Sequence, residues 1–169
     1  MEFDGRNVLL TGVGRPGQVG EAVAQAFARR GARLLLVAHR IEQARERADA
    51  LVAGGRQATP FAADLTDVGA VASLADDVRT RTGGRLHALV HVAGGFSMSG
   101  PVAGSDPAEW TRLFAMNGTT AHLVSGLLHH ASVLDHRATD THKAAPLQPW
   151  DVPVRRPGTE EYLTPGEEL

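Results

Sequence analysis

Short apolar runs alternate with alanine-rich helical segments through the first 130 residues, and this alternation leaves the chain few architectures to adopt. The runs "NVLLTG", "ARLLLVA", "QATPFAAD" and "LHALVHVAGG" are each bounded by Gly, Pro, Asp or charge, as strands are. Between them, "EAVAQAFARRGA", "EQARERADALVAGG" and "VGAVASLADDVRTRTGG" repeat apolar residues every three to four positions and carry a glycine near the end, where a helix C-cap falls. The stretch "DPAEWTRLFAMNGTTAHLVSGLLHHA" predicts one longer helix, with Asp106 as N-cap and Pro107 at the next position. Strand and helix in strict alternation imply a parallel sheet with right-handed crossovers, hence a doubly wound α/β domain over residues 1–130. The runs "VLL" and "LLLV" barely alternate, which suits strands buried on both faces.

After residue 130 the pattern stops. Residues 131–169 hold five of the nine prolines and no stretch with a period of two or 3.6, so the expectation there is an irregular or disordered tail. The formal charge is only −2 and no run of like charge occurs, which gives no footprint for nucleic acid or an anionic membrane. A small-molecule ligand is the better expectation. With no cysteine, disulfides, thiolate metal sites and thiol catalysis are excluded. The start, "MEFDGRNVLLTG", is acidic where a signal peptide would be basic, and no apolar run approaches the roughly 18 residues of a membrane span. These features lead us to expect a soluble, cytoplasmic protein.

The first strand runs into "TGVGRPGQVGEAVAQAF", where Gly12, Gly14 and Gly17 fit G-x-G-x-x-G between a strand and a helix. Glycines in that place allow a tight turn and close approach of a pyrophosphate, while the next helix offers unpaired N–H groups and the positive end of its dipole. A glycine-rich turn of purely structural purpose is the other reading of the loop. Strand, loop and alanine-rich helix together favour a bound nucleotide.

Thr11 and Gly12, with "VGEAVAQAFARRGARLLLVAHR" beyond them, resemble the short-chain dehydrogenases/reductases. The resemblance continues at "ADLTD", "LHALVHVAGG" and "EWTRLFAMNGTTAHLV", in the family's order, and covers residues 6–130. It implies a Rossmann-like fold, a nicotinamide cofactor and hydride transfer to or from a carbonyl or alcohol. Counted back from Gly20, the loop is two residues longer than the family's TGxxxGxG, and Gln18 falls where the second glycine would be. The resemblance therefore assigns cofactor binding to Thr11, Gly12, Gly17 and Gly20. The family's Asn-Asn-Ala-Gly stands here as His91-Val92-Ala93-Gly94, which keeps Ala93 and Gly94 beside the cofactor. Asp64, followed by Leu65, resembles the adenine-contacting acid; a turn residue or a helix N-cap is the alternative for Asp64.

Charge bears on which dinucleotide is bound. A carboxylate after the second strand would hold the adenosine ribose and repel a 2′-phosphate. Here His39 takes that place, Arg40 follows, and Arg15 lies in the glycine loop. A guanidinium binds phosphate bidentately, so NADP is expected over NAD, unless Arg40 merely opens the solvated helix face "RIEQARER".

In the family, a tyrosine handles the proton, a lysine four residues later lowers its pKa, a serine positions the substrate and an asparagine supports a water chain. Asn117 in "FAMNGTT" matches the asparagine. The serine-ending strand and Tyr-x-x-x-Lys do not follow: the only tyrosine, Tyr162, has Gly166 at the fourth position, and the only lysine, Lys143, precedes it. Tyr162 is therefore expected to be a tail residue. His129, His130, His136 and His142 lack a tight i, i+4 pair, so no metal site is expected. His91 is expected to be structural. The sequence thus reads as a family oxidoreductase, truncated or frameshifted and inactive unless another residue supplies the proton. The alternative is a non-catalytic NADP-binding or oligomerising module, with a homodimer as the partner that the resemblance allows.

Overall fold

In the computed structural model, residues 2–98 and 100–130 are described. Strands Asn7–Thr11 (β1), Arg33–Ala38 (β2), Gln57–Ala62 (β3) and Ala88–His91 (β4) alternate with helices Val19–Arg29 (α1), Ile41–Ala53 (α2) and Val68–Thr82 (α3). Pro107–Phe114 (α4) and Thr120–His130 (α5) follow. The strands are all parallel in the order β3-β2-β1-β4, with Leu9 opposite both Leu35 and Leu89, and Thr11 opposite both Val37 and His91. This is the Rossmann-like arrangement expected from the alternation. The strand order reverses between β1 and β4, which makes that boundary the topological switch point.

Alternation along each strand divides the core into two layers. Val8, Leu10, Leu34 and Leu36 pack with Ala24, Ala28, Ala44 and Ala48, so α1 and α2 cover one face with small residues. Leu9, Leu35, Val37 and Phe61 pack with Val71, Leu74, Val78 and Val124, so α3 and α5 cover the other. Val8, Leu9 and Leu10 are fully buried, which explains the unbroken apolar run in β1. Among the described residues β3 is an edge strand, paired with β2 alone, which lets it tolerate Pro60. No helix among the described residues is long and apolar enough to cross a membrane.

The single long helix expected after residue 106 is instead interrupted. Asp106 does cap it, accepting from the Ala108 N–H at 2.9 Å with Pro107 following, but Ala115–Thr119 form a π turn between α4 and α5. The cause is Asn117, whose Nδ2 donates to the Leu113 carbonyl at 2.8 Å and so competes with the backbone ladder.

Candidate nucleotide-binding site

The glycine loop occupies the switch point. Gly12 carries φ +80°, and a Cβ there would lie 2.5 Å from the Ala93 nitrogen, so only glycine lets the end of β1 meet the segment after β4. A Cβ on Gly20 would collide with the Gly12 carbonyl oxygen, so glycine also lets α1 begin directly beneath that turn. The longer loop puts its left-handed residue at Gly17, φ +71°, whereas Gln18 is extended at φ −103° and needs no glycine. Gly14 is less constrained, since a Cβ there meets only the flexible end of Gln43.

Helix N-termini divide into two kinds. α3 and α4 are capped by Asp67 and Asp106, whose carboxylates accept from Ala70 and Ala108. α1 and α2, which follow β1 and β2, begin at Gln18 and Arg40 with no side-chain cap. An uncapped N-terminus leaves N–H groups and a positive dipole end for an anion.

A polar chain joins the two halves of the site. Thr11 Oγ1 accepts from the Val92 and Ala93 N–H groups, both at 3.2 Å, and lies 3.0 Å from His91 Nδ1. Nε2 of the same ring is 3.2 Å from Thr120 Oγ1, which donates to the Met116 carbonyl at 2.9 Å. With its proton on Met116, Thr120 accepts from His91 Nε2–H, and the bare Nδ1 accepts the Thr11 hydroxyl proton. That arrangement uses the neutral imidazole, and burial favours the neutral ring by lowering the His91 pKa from the ordinary 6.5.

Asn117 closes the far side. Its Oδ1 accepts from the Gly95 N–H at 3.1 Å, and Nδ2 donates to the Gly95 carbonyl at 3.0 Å. Gly94 is required here too, because a Cβ on it would lie 2.5 Å from Asn117 Oδ1. Thr11, Gly12, Gly20, Ala93, Gly94 and Asn117 therefore form one contiguous constellation.

The remaining expected residues lie around it. Arg15 and Arg40 are exposed, at the glycine loop and just after β2. Asp64 is an exposed turn residue beyond β3: its carboxylate accepts from the Thr66 hydroxyl at 2.6 Å and the Thr66 N–H at 2.9 Å. These bonds, the hydroxyl foremost, and nearby His39 hold its pKa below the usual carboxylate value. The helix cap is Asp67 instead. The Leu65 side chain belongs to the core of the α3 face. Tyr162, Lys143, Ser132, His136, His142 and the expected tail lie outside the described residues. Among the described residues, no group of His, Asp and Glu could hold a metal ion.

Glu21, Arg47, Gly95 and Thr120 also contribute contacts, none of them announced by a motif. Only Gly95, as an extra glycine beside Gly94, carried a local signal.

Against this geometry, residues 12–137 match a family model described as enoyl-(acyl carrier protein) reductase. The trihydroxynaphthalene reductase PfmaI of Pestalotiopsis fici is 32% identical over 116 residues, 68% of this chain and 40% of that protein. The 2,3-dihydro-2,3-dihydroxybenzoate dehydrogenase of Bacillus subtilis is 31% identical over 117 residues, 69% of this chain and 43% of that protein. A metagenomic short-chain oxidoreductase, solved in complex with NADP, superposes with a TM-score of 0.70 at 32% identity, covering 78% of this chain and 58% of that one. The chain belongs to the short-chain dehydrogenase/reductase family, whose members bind a nicotinamide cofactor. It spans about two-fifths of the length of these curated relatives.

Proposed function

We propose that the described residues are the dinucleotide-binding part of an oxidoreductase that moves a hydride between a nicotinamide cofactor and a carbonyl or alcohol, with NADP preferred over NAD. The observation that carries this reading is the uncapped start of α1 beneath a loop whose Gly12 and Gly20 admit no side chain, at the switch point of a parallel sheet. A bound nicotinamide supplies or accepts the hydride. The chain's own part is to hold it: Gly12, Gly17 and Gly20 border the phosphates, Asp64 and Leu65 the adenine, and Ala93 and Gly94 the ring end. Thr11 and Asn117 fix the backbone that does this. In this reading Asn117 is the catalytic asparagine that supports a water chain.

The preference for NADP rests on Arg15 and Arg40 beside the loop, with His39 where a carboxylate would repel a 2′-phosphate. The similar oxidoreductase that holds NADP supports the same choice. The test is a titration with NADPH and NADH, read by nicotinamide fluorescence. Saturable binding should be tighter for NADPH, and Arg40→Ala should weaken NADPH about tenfold while leaving NADH nearly unchanged. Equal affinities untouched by the substitution would remove the NADP preference, and no binding of either would remove the reading.

One observation favours a non-catalytic binding module as a second reading. Both amide hydrogens of Asn117 are committed to backbone carbonyls, those of Gly95 and Leu113. Turnover of any carbonyl substrate would set this reading aside. A homodimer, through the face of α4 that exposes Trp110 and Phe114, belongs to either reading. A monodisperse monomer in light scattering would remove it.

A further inference from the structure

The loop between Gly12 and Gly20 is longer than its family counterpart, and its apex has little packing: nothing lies within 4 Å of the Cβ direction at Gly17. A left-handed residue in open space needs another source of order. Glu21, in the first turn of α1, supplies it by accepting from the Gly17 N–H on Oε2 at 2.6 Å. In a capping box the third helical residue reaches back to the N-cap N–H. Here the carboxylate reaches one residue further, past Gln18, into the inserted stretch.

The other oxygen of the same carboxylate accepts from Arg47 Nη1 at 3.1 Å. Arg47 rises from α2, is only 8% exposed, and also pairs with Glu46. Its Nε has no hydrogen-bond partner among the described residues. Burying a guanidinium on the alanine-lined face of α2 is costly, so this arginine is a poor choice for packing alone. The Gly17 N–H and the Arg47 guanidinium both favour the ionised carboxylate, the N–H foremost, and lower its pKa. Because Glu21 turns toward α2, its carboxylate leaves the first-turn N–H groups of Val19 and Gly20 untouched.

We propose that Glu21 is a positioning residue for the cofactor loop: with Arg47 it staples the extended stretch at Gly17 to α1 and α2, and dinucleotide affinity depends on that staple. The proposal rests on the dinucleotide reading above. Three substitutions separate its parts. Glu21→Ala removes the acceptor. Glu21→Gln keeps an acceptor for Gly17 without the charge. Glu21→Asp keeps a charge beside Arg47 but is one methylene too short to reach the loop, and it takes the place of the alanine variant if that one does not fold.

The experiment combines NMR exchange of the Gly17 amide in the free protein with NADPH titration of each variant at matched thermal stability. The staple predicts faster Gly17 exchange and NADPH affinity about tenfold weaker in Glu21→Ala and Glu21→Asp, with both largely restored in Glu21→Gln. Unchanged Gly17 exchange in Glu21→Ala and Glu21→Asp would overturn the staple whatever the cofactor does. Altered exchange with unchanged NADPH affinity would overturn its role in binding and leave the dinucleotide reading standing. Absence of binding by the unsubstituted protein would overturn the dinucleotide reading, and the affinity claim with it, while the exchange data still reported on the contact itself.

Discussion

Strands β1 and β4 run side by side in register, from Val8 against Ala88 to Thr11 against His91, yet they are finished differently. β1 is paired on both sides and its apolar residues are fully buried. Among the described residues β4 is paired on one side only, and all four of its residues are half-buried. The segments after them differ in the same way: Val13 is fully buried, whereas Phe96 and Met98 are more than four-fifths exposed. The site lies where these two conditions meet. One wall is set by a saturated core; the other is set by a few directed hydrogen bonds, from Thr11 and Asn117, to a backbone that apolar packing covers poorly. Polar contacts carry the geometry where burial is incomplete.

The largest effect that sharpens this contrast comes from the register partners Leu9 and Leu89. Leu9→Ala should cost about 3 kcal/mol in urea denaturation, and Leu89→Ala about half of that, since half-buried atoms gain less from folding and leave less cavity. Equal losses would mean that β4 is as well covered in solution as β1, and would erase the comparison. A smaller effect concerns the bridge itself. His91→Phe keeps a ring but removes the chain between Thr11 and Thr120, at a cost of about 1 to 2 kcal/mol.

The pH dependence of the same bridge has a definite sign. The folded state holds the His91 pKa below 6.5, so in the window beneath that value the unfolded chain binds the proton more readily. His91's contribution to stability should be complete above pH 6.5 and lost as pH falls through the lower, folded value. Denaturation of the native protein against His91→Phe across the histidine range should show that slope only in the former.

The smallest effect lies on the exposed side. Arg112 donates to Glu109 through Nε at 2.7 Å and Nη2 at 2.6 Å. These bonds, with Ser97 after them, lower the Glu109 pKa from 4.5 to about 2. Any stabilisation from this pair is present above pH 4.5 and fades as pH falls toward 2, and solvent screening keeps it slight. A Glu109→Gln variant should match the native protein below that window and lag it only marginally above. A large gap would show that the loop after β4 depends on this pair more than its exposure suggests.

The sheet, its first three helices and the start of α4 were legible because their signals are local: period, glycine punctuation and the Asp106-Pro107 pair. The glycines at 12 and 20 were legible for the same reason. The π turn was not, because it depends on Asn117 finding both Leu113, four residues back, and Gly95, on a different segment. Glu21 carries no signal of its contact in the sequence, since its partner Arg47 is 26 residues away on another helix. His91 stood out by its position at a strand end, but the threonines that hold its two nitrogens come from opposite directions along the chain. At Asp64 the sequence could not separate a turn residue from a helix cap; the carboxylate is engaged with its own turn and the cap is Asp67.

The bond between Thr11 and His91 spans 80 residues, and that between His91 and Thr120 another 29. The βαβαβ portion through residue 62 can form from near-neighbour contacts, but the cradle between β1 and β4 cannot close until residues 80 apart in the chain have met. High contact order slows folding. Among the described residues, the last part to become ordered should therefore be the cradle proposed to hold the dinucleotide, and cofactor added during refolding should act on the final step rather than on the collapse that precedes it.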